Sequence, residues 1–197
     1  KDMGLQGGVI WEYANGLDES PVRTVEEQEE IKSVGNGLTF RRNLVGLEDV
    51  KAGILALADT VARRLREDGL QCQTLQVQIK DPQFRLISRQ RPLPHATNLA
   101  TEMADAALAI VQGSWDLAKP IRMLTITGQN LTEQAAGRQL SLFEGQEDRH
   151  ERLVQLESAL DGIRNRFGTA AIARASLMRN DLFTAGETDS LPPPDGS

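Results

Sequence analysis

The sequence predicts an α+β domain: a four-stranded sheet with two helices on one face, in the order strand-helix-strand-strand-helix-strand, followed by a C-terminal helical extension. Three observations carry this expectation. Between residues 31 and 130 the spacing of apolar residues switches repeatedly between two, the period of a strand, and three or four, the period of a helix. Turn-forming residues, among them Gly69, Asp81-Pro82 and Pro120, stand where the spacing changes. The composition, 40% hydrophobic and 25% charged, is that of an ordinary globular chain, with so few aromatics (4%) that the core must come from Leu, Ile, Val and Ala.

Taken in order, the stretch Gly4 to Gly16 suggests a short helix that Gly16 stops, and Leu17 to Val22 reads as turn. The run Glu26-Glu27-Gln28-Glu29-Glu30 reads as a solvated linker at a domain boundary. From Ile31, the apolar residues Val34, Leu38 and Phe40 alternate with Ser33, Gly35, Gly37, Thr39 and Arg41, the pattern of a half-buried strand. Leu47, Val50, Ile54, Leu57, Val61 and Leu65 form one stripe on a helix of about five turns that Gly69 ends. Leu75, Val77 and Ile79 then alternate with Gln76, Gln78 and Lys80, and the Asp81-Pro82 turn leads into a second strand from Phe84 to Arg91, an antiparallel hairpin. Thr97 or Asn98 is expected to cap a helix carrying Leu99, Met103, Ala106, Ala107, Ile110 and Val111 as far as Gly113 to Trp115. Ile121 to Thr127 gives the last strand. A further helix from about Asp148 shows Leu153, Leu156, Leu160 and Ile163 as a stripe, expected to cover part of the same chain, and Ser190 to Ser197 reads as an extended or poorly ordered tail.

Composition excludes several classes. No apolar run approaches the roughly 20 residues of a membrane span, and no basic segment leads into an apolar one as in a secretion signal. The single cysteine, Cys72, forms no internal disulfide, which suits a reducing, cytoplasmic compartment; with only His95 and His150 beside it, a zinc site would lack soft ligands, so no metal is expected of these residues. The chain opens at Lys1 inside a helical pattern and so reads as part of something longer. Its net charge of -6 is uneven: residues 1–30 carry 2 basic and 8 acidic side chains, 31–130 carry 13 and 9, and 131–197 carry 7 and 11. A locally basic block between acidic flanks suits a phosphate-binding module, because only the local field acts within a Debye length of about 8 Å.

If both helices cover one face, the other is open, and it is expected to present Ser33, Gly35, Gly37, Thr39 and Arg41, with Arg85, Arg89 or Arg91, and Thr125 and Thr127. Small residues admit a phosphate close to backbone N–H groups, hydroxyls donate single hydrogen bonds and arginines bring charge; together these suit a sugar-phosphate backbone rather than base edges. The face offers almost no aromatics, which disfavours single-strand base stacking and ranks an RNA-binding module last. Lys32 to Gly37 resembles a phosphate loop only superficially, and Asn130-Leu131-Thr132 is a formal glycosylation triplet without a secretory route. No acidic pair suits two Mg²⁺ ions and no Ser, His and Asp set converges, so no catalytic residue is assigned. Gln139-Leu140-Ser141-Leu142-Phe143 places apolar anchors in an otherwise polar connector, the chemistry of a short docking peptide.

Taken together, these segments resemble the Y-family translesion DNA polymerases, in particular their DNA polymerase IV group. Ile31-Lys32-Ser33-Val34-Gly35-Asn36-Gly37-Leu38-Thr39-Phe40 is similar to the first strand of that family's little finger, and Leu86-Ile87-Ser88-Arg89-Gln90-Arg91-Pro92-Leu93-Pro94-His95 to its Ser-Arg-x-Arg segment. Ala14-Asn15-Gly16-Leu17-Asp18 with Pro21-Val22 is similar to the end of its thumb, and Gln139 to Phe143 to its sliding-clamp peptide. The resemblance implies a thumb end at 1–22, an acidic linker at 23–30, a little finger at 31–130, a connector with the clamp peptide at 131–147, a helical extension at 148–180 and a tail at 181–197. It implies that Lys32, Ser33, Gly35, Gly37, Thr39, Arg41, Arg42, Ser88, Arg89, Arg91, Arg122 and Thr127 contact primer-template DNA, and that Gln139, Leu140, Leu142 and Phe143 dock on a bacterial sliding clamp. The whole protein would be a DNA-directed DNA polymerase working in damage bypass, with Mg²⁺ held by a palm that these residues lack; this part, a monomer away from any membrane, would be inactive alone. The rival reading is a non-catalytic adaptor that bridges nucleic acid to a replication protein.

Overall fold

The computed structural model describes residues 4–17, 31–133, 144–177 and 181–182, and the chain divides into two compact units, 1–30 and 31–197. The first contains helix α1 (Gly4–Ala14), after which the chain turns at Gly16, whose φ of 72° is left-handed. The acidic linker, Pro21-Val22 and the whole clamp peptide lie outside the described residues.

The second unit runs β1 (Ser33–Leu44), α2 (Gly46–Glu67), β2 (Leu70–Lys80), β3 (Leu86–Thr97), α3 (Ala100–Ser114), β4 (Ile121–Glu133) and α4 (Glu144–Phe167), then two short 3-10 turns at Thr169–Ala171 and Ala175–Leu177. The strands form one sheet in the order β1-β4-β2-β3, every ladder antiparallel. This is the expected α+β arrangement. The core lies between the sheet and helices α2 and α3: Val50, Ile54, Leu57, Val61 and Leu65 of α2 and Met103, Ala107 and Val111 of α3 meet Phe40, Leu75, Val77, Ile79, Leu124 and Ile126 of the sheet. Alternation on the strands and three-four spacing on the helices put those side chains on facing surfaces, and their removal from water is the main driving force for the fold.

Several local expectations are corrected. The second hairpin strand begins at Leu86 and not at Phe84, because Asp81 organises the turn: its Oδ1 accepts the Gln83 and Arg85 N–H groups at 2.9 Å, and Phe84 takes a left-handed φ of 63°. Neither Thr97 nor Asn98 is the cap of α3. That position is Leu99, whose N–H donates to Thr97 Oγ1 at 3.1 Å, while Asn98 Nδ2 donates to the Leu70 carbonyl at 3.0 Å. Strand β4 continues past the expected end of the domain to Glu133, since Leu131, Thr132 and Glu133 pair with Cys72, Gln71 and Leu70. Asp181 and Leu182, assigned above to the tail, belong with the body: Leu182 is buried in the core and its carbonyl accepts the Arg41 N–H at 3.3 Å.

Helix α4 begins at Glu144, ahead of its expected start, and its docking face is not the apolar stripe read from the sequence. Leu153 and Leu160 are half-buried, but Leu156 and Ile163 are exposed. The inward face carries Glu157 and Arg164, both buried, with His150 and Asp161 half-buried. The surface they meet on α2 and α3 offers Asp59, Arg66 and Glu102, so charge complementarity selects the polar side of the helix.

Candidate nucleic-acid interface

Residues directly opposite one another in an antiparallel pair point to the same side of a sheet, so the register assigns every strand residue to a face. Gly35, Gly37 and Thr39 of β1 pair with Thr127, Thr125 and Met123 of β4, which pair in turn with Gln76, Gln78 and Lys80 of β2; Gln76, Gln78 and Lys80 then pair with Gln90, Ser88 and Leu86 of β3. These rows lie opposite the core, and among the described residues of this unit no helix packs on them. The resulting face is a lattice of hydroxyls and side-chain amides in which Lys80 is the one cation that the register places.

Arg89 and Arg91 fall on the other side. They pair with Val77 and Leu75, both core residues, so the register puts them on the helix-bearing face of β3, at the rim where both remain exposed. This corrects the expectation that they project from the open face. Ser88 does lie there. Arg89 Nη1 turns back to the Ser88 carbonyl at 2.9 Å, and Arg85 is held by Asp81 at 2.8 Å at the hairpin tip, where Phe84 is 75% exposed. Strand β3 is one edge of the sheet, where Pro92 and Pro94, lacking N–H groups, discourage further strand pairing.

The glycines of β1 do not leave an open floor for phosphate. A Cβ at Gly35 would lie 2.7 Å from Thr127 Oγ1, and one at Gly37 would lie 2.6 Å from Thr125 Oγ1 and 3.1 Å from Met123 Cε. The two threonines therefore occupy the space that the missing side chains provide, which brings their hydroxyls flat against β1.

Of the remaining sequence-derived cations, Lys32 precedes β1, while Arg41, Arg42 and Arg122 lie at its far end, where pairing with β4 is interrupted between Thr39 and Leu44. A bulge leaves backbone groups without ladder partners. Arg122 supplies one, its Nη1 donating to the Phe40 carbonyl at 2.6 Å. Arg42 is engaged by two carboxylates: Nη1 and Nη2 donate to Asp49 at 2.5 and 3.0 Å, and Nε and Nη2 donate to Asp181 at 2.8 and 2.9 Å. Hydrogen bonds from Arg42 hold both carboxyls below the ordinary carboxylate range, with the Val45 N–H adding to the effect at Asp49 against the opposing influence of burial. Lys32, Ser33, Thr39 and Arg41 are exposed.

Sequence reasoning missed two polar clusters. Three arginines and three acids join α4 to α2: Arg66 reaches Glu157 and Asp161, Arg164 reaches Asp59 and Asp161, and Arg174 reaches Asp59 and Glu157. At the other end of α4, Glu102 of α3 receives His95, His150 and Thr97. Burial raises the Glu102 pKa, but hydrogen bonds from Thr97, His150 and His95 outweigh it and the net shift is downward. No single stretch of sequence signals either cluster, because each draws its members from elements far apart in the chain: α2, α4 and Arg174 for the first, β3, α3 and α4 for the second. Neither set suits the Mg²⁺ pair of nucleotidyl transfer: the three acids are already matched by three arginines, and the second set has two imidazoles where Mg²⁺ takes oxygen. Cys72 is buried, its thiol pushed up to about 11 by desolvation, and so is inert.

Two helices on one side of a four-stranded antiparallel sheet and a polar face on the other define an α+β domain of strand-helix-strand-strand-helix-strand order. Residues 31–142 match the impB/mucB/samB family C-terminal domain, and the chain belongs to that family. It is 35% identical to a protein of Acetivibrio thermocellus named DNA polymerase IV, over 91% of this chain and 45% of that one. A DNA polymerase IV of Moorella thermoacetica is 34% identical over 89% of the chain and 42% of its own length, and DNA polymerase IV 2 of Bacillus subtilis is 34% identical over 90% and 42%. The chain thus spans less than half the length of the curated relatives it matches. These relatives agree with the resemblance drawn from the strand and Ser-Arg-x-Arg segments. No helix among the described residues is long and apolar enough to cross a membrane.

Proposed function

We propose that this chain is the duplex-gripping, C-terminal part of a translesion DNA-directed DNA polymerase. The observation that carries the reading is the helix-free sheet face, with Thr125, Thr127, Gln76, Gln78, Ser88 and Gln90 in cross-strand register and Lys80 among them, in a domain whose relatives are named as polymerases. Hydroxyls and amides at sheet spacing donate hydrogen bonds to phosphate and sugar oxygens without inspecting base pairs, which is the property a polymerase needs to hold a damaged template. Arg89 and Arg91 reach the backbone from the rim of β3, and Lys32 and Arg41 from the two ends of β1. Phosphoryl transfer itself, with its Mg²⁺, belongs to the longer protein, in the cytoplasm.

Titrating the 197-residue chain against a primer-template duplex at several salt concentrations tests this reading. Neutralising about 3 to 5 phosphates gives a log-log slope of about -3 to -4, with little sequence preference. A flat salt response, or preference for single-stranded RNA, overturns it.

The peptide Gln139 to Phe143 supports docking on a bacterial sliding clamp, since Leu142 and Phe143 can fill an apolar groove while Gln139 bonds at its rim. Saturable binding to the clamp, lost when Gln139, Leu142 and Phe143 are changed to Ala, is the expected result; no binding, or binding that survives the change, removes the clamp from the account.

A further inference from the structure

The chain contains two histidines, and the fold brings both to one carboxylate. His95 Nε2, from β3, lies 3.1 Å from Glu102 Oε2, and His150 Nδ1, from α4, lies 3.0 Å from Glu102 Oε1. The rings stand nearly perpendicular, at 86°, with centroids 6.1 Å apart. One donor atom from each of the three residues lies within 4.8 Å of the others. Thr97 Oγ1 donates to Glu102 Oε2 at 2.5 Å, which fixes the carboxylate from behind.

From this geometry we propose that His95, Glu102 and His150 form a binding site for a divalent transition-metal ion of the zinc class. Zinc takes imidazole nitrogen and carboxylate oxygen at about 2.0–2.2 Å, and tetrahedral ligands at that radius are separated by roughly 3.3–3.5 Å. Each imidazole nitrogen stands 3.0–3.1 Å from one oxygen of the carboxylate and the three donors span no more than 4.8 Å, so side-chain rotations that close this span seat the ion, and water completes a fourth position. Ligand type sets the selectivity. Two imidazoles suit zinc and its first-row neighbours and exclude Mg²⁺ and Ca²⁺, which take oxygen. Thiolate is not required, and Cys72, the one thiol, is fully buried elsewhere. The Thr97 hydroxyl plays the part of the outer hydrogen bond that orients a metal-bound carboxylate.

The site spans β3, α3 and α4, which gives the ion a mechanical role. The arginine-acid cluster holds the C-terminal half of α4 to α2, whereas His150 is the N-terminal attachment, to α3 and β3. A bound ion replaces two hydrogen bonds to one carboxylate by three coordinate bonds and so pins the start of α4. This inference is independent of DNA binding and stands if the polymerase reading fails.

Isothermal titration of ZnCl₂ into the tag-free 197-residue chain tests it, alongside thermal melting and amide exchange with and without zinc. One ion per chain is expected, with the melting temperature rising by about 5–10 °C at a roughly hundredfold excess over Kd and slower exchange in α4. MgCl₂ is expected to do neither. Glu102→Gln, which keeps shape but exchanges one accepting oxygen for a donating amide, and His150→Gln and His95→Gln should each weaken zinc binding at least about tenfold while leaving the far-ultraviolet circular dichroism of the zinc-free chain unchanged. Zinc that leaves wild-type melting and α4 exchange unaltered overturns the proposal, as does zinc binding that is equally strong in Glu102→Gln. Should His150→Gln release α4, the wild-type titration and the Glu102 and His95 variants still decide the matter.

Discussion

Arg66 on α2 lies 3.0 Å from Glu157 on α4, and Glu157 is 1% exposed, so a full carboxylate has been carried out of water to fasten one helix to another. The contact is one of charge more than alignment. Arg66 Nη1 donates to the Asn98 carbonyl at 2.7 Å, and Glu157 Oε2, beside it, has no hydrogen bond of its own. Glu157 Oε1 accepts from Arg174 Nη2 at 2.7 Å. Burial opposes the charge on Arg66, yet the hydrogen bonds it donates to Asp161 and the fields of Glu157, Asp161 and Asp59 prevail and raise its pKa. Three positive and three negative groups make a neutral set, and that balance is what makes burial tolerable.

Glu157→Ala breaks this balance. Removing one member of a buried pair costs about 3–5 kcal/mol, mostly because the remaining charges are left uncompensated. Helix α4 can leave while α2 and α3 stay on the sheet, so the cost should appear first as undocking. Amide exchange is expected to accelerate throughout α4 and to stay slow in β2 and β4; equal acceleration in the sheet would show that α4 belongs to the same cooperative unit.

Gly53→Ala pits two effects against each other at the contact between α2 and β1. Alanine favours a helix over glycine by about 1 kcal/mol. The new Cβ, however, would stand 2.9 Å from Phe40 Cζ and 3.1 Å from Leu44 Cδ1, both side chains being buried. Overpacking a tight core costs about 1–3 kcal/mol, so a net loss of up to about 2 kcal/mol is expected, read as a lower denaturation midpoint at unchanged m-value. A variant more stable than wild type would mean that Phe40 can turn aside.

The body of the fold was legible because its signals are local. Val34, Phe40, Leu75, Val77 and Ile126 alternate, and Val50, Ile54, Leu57, Val61 and Leu65 recur at three and four; a single register of sheet and helix satisfies both. The faces of β3 were not legible, since which of Ser88 or Arg89 shares a side with Gln78 depends on how the Asp81 turn sets the register, and one residue of slip reverses every side chain. The docking of α4 failed for a different reason. Leucine spacing names an apolar stripe but cannot tell that the facing helices present Asp59, Arg66 and Glu102, and against that surface Glu157 and Arg164 are the better match. His95 and His150 likewise looked unrelated in sequence, and only the arrival of α4 beside α3 joins them.

Acid should loosen the β1 bulge before the core. Asp49 has its carboxyl held below its ordinary value of 3.8 by the hydrogen bond from Arg42, and Asp181 is shifted the same way. A carboxyl with a depressed folded-state pKa binds protons more readily in the unfolded chain, so its contribution is full above about pH 5 and declines as pH falls through 3.8 toward the folded value. Asp49→Asn should therefore be less stable than wild type at pH 7, with the gap closing as the pH drops below about 4. Urea unfolding at pH 7, 5 and 3.5 measures this, and a gap that widens in acid would contradict it.

Arg42 and Arg91 both look like phosphate ligands in the sequence, and the structure separates them. Arg42 faces two carboxylates, so a phosphate approaching it meets a group already neutralised. Arg91 is exposed on the rim of β3. Counterion release counts only cations that actually neutralise phosphate, with a slope of about 0.9 per contact on duplex DNA. Arg91→Ala is accordingly expected to flatten the salt dependence of duplex binding by about 1, and Arg89→Ala by a similar amount. Arg42→Ala should leave the slope unchanged and lower stability instead, because Asp49 and Asp181 lose their common partner. Fluorescence anisotropy on a labelled primer-template duplex between low and physiological salt distinguishes the two. If Arg42→Ala flattens the slope as much as Arg91→Ala does, Arg42 exchanges its carboxylates for phosphate on binding, and the bulge of β1 is then part of the DNA grip.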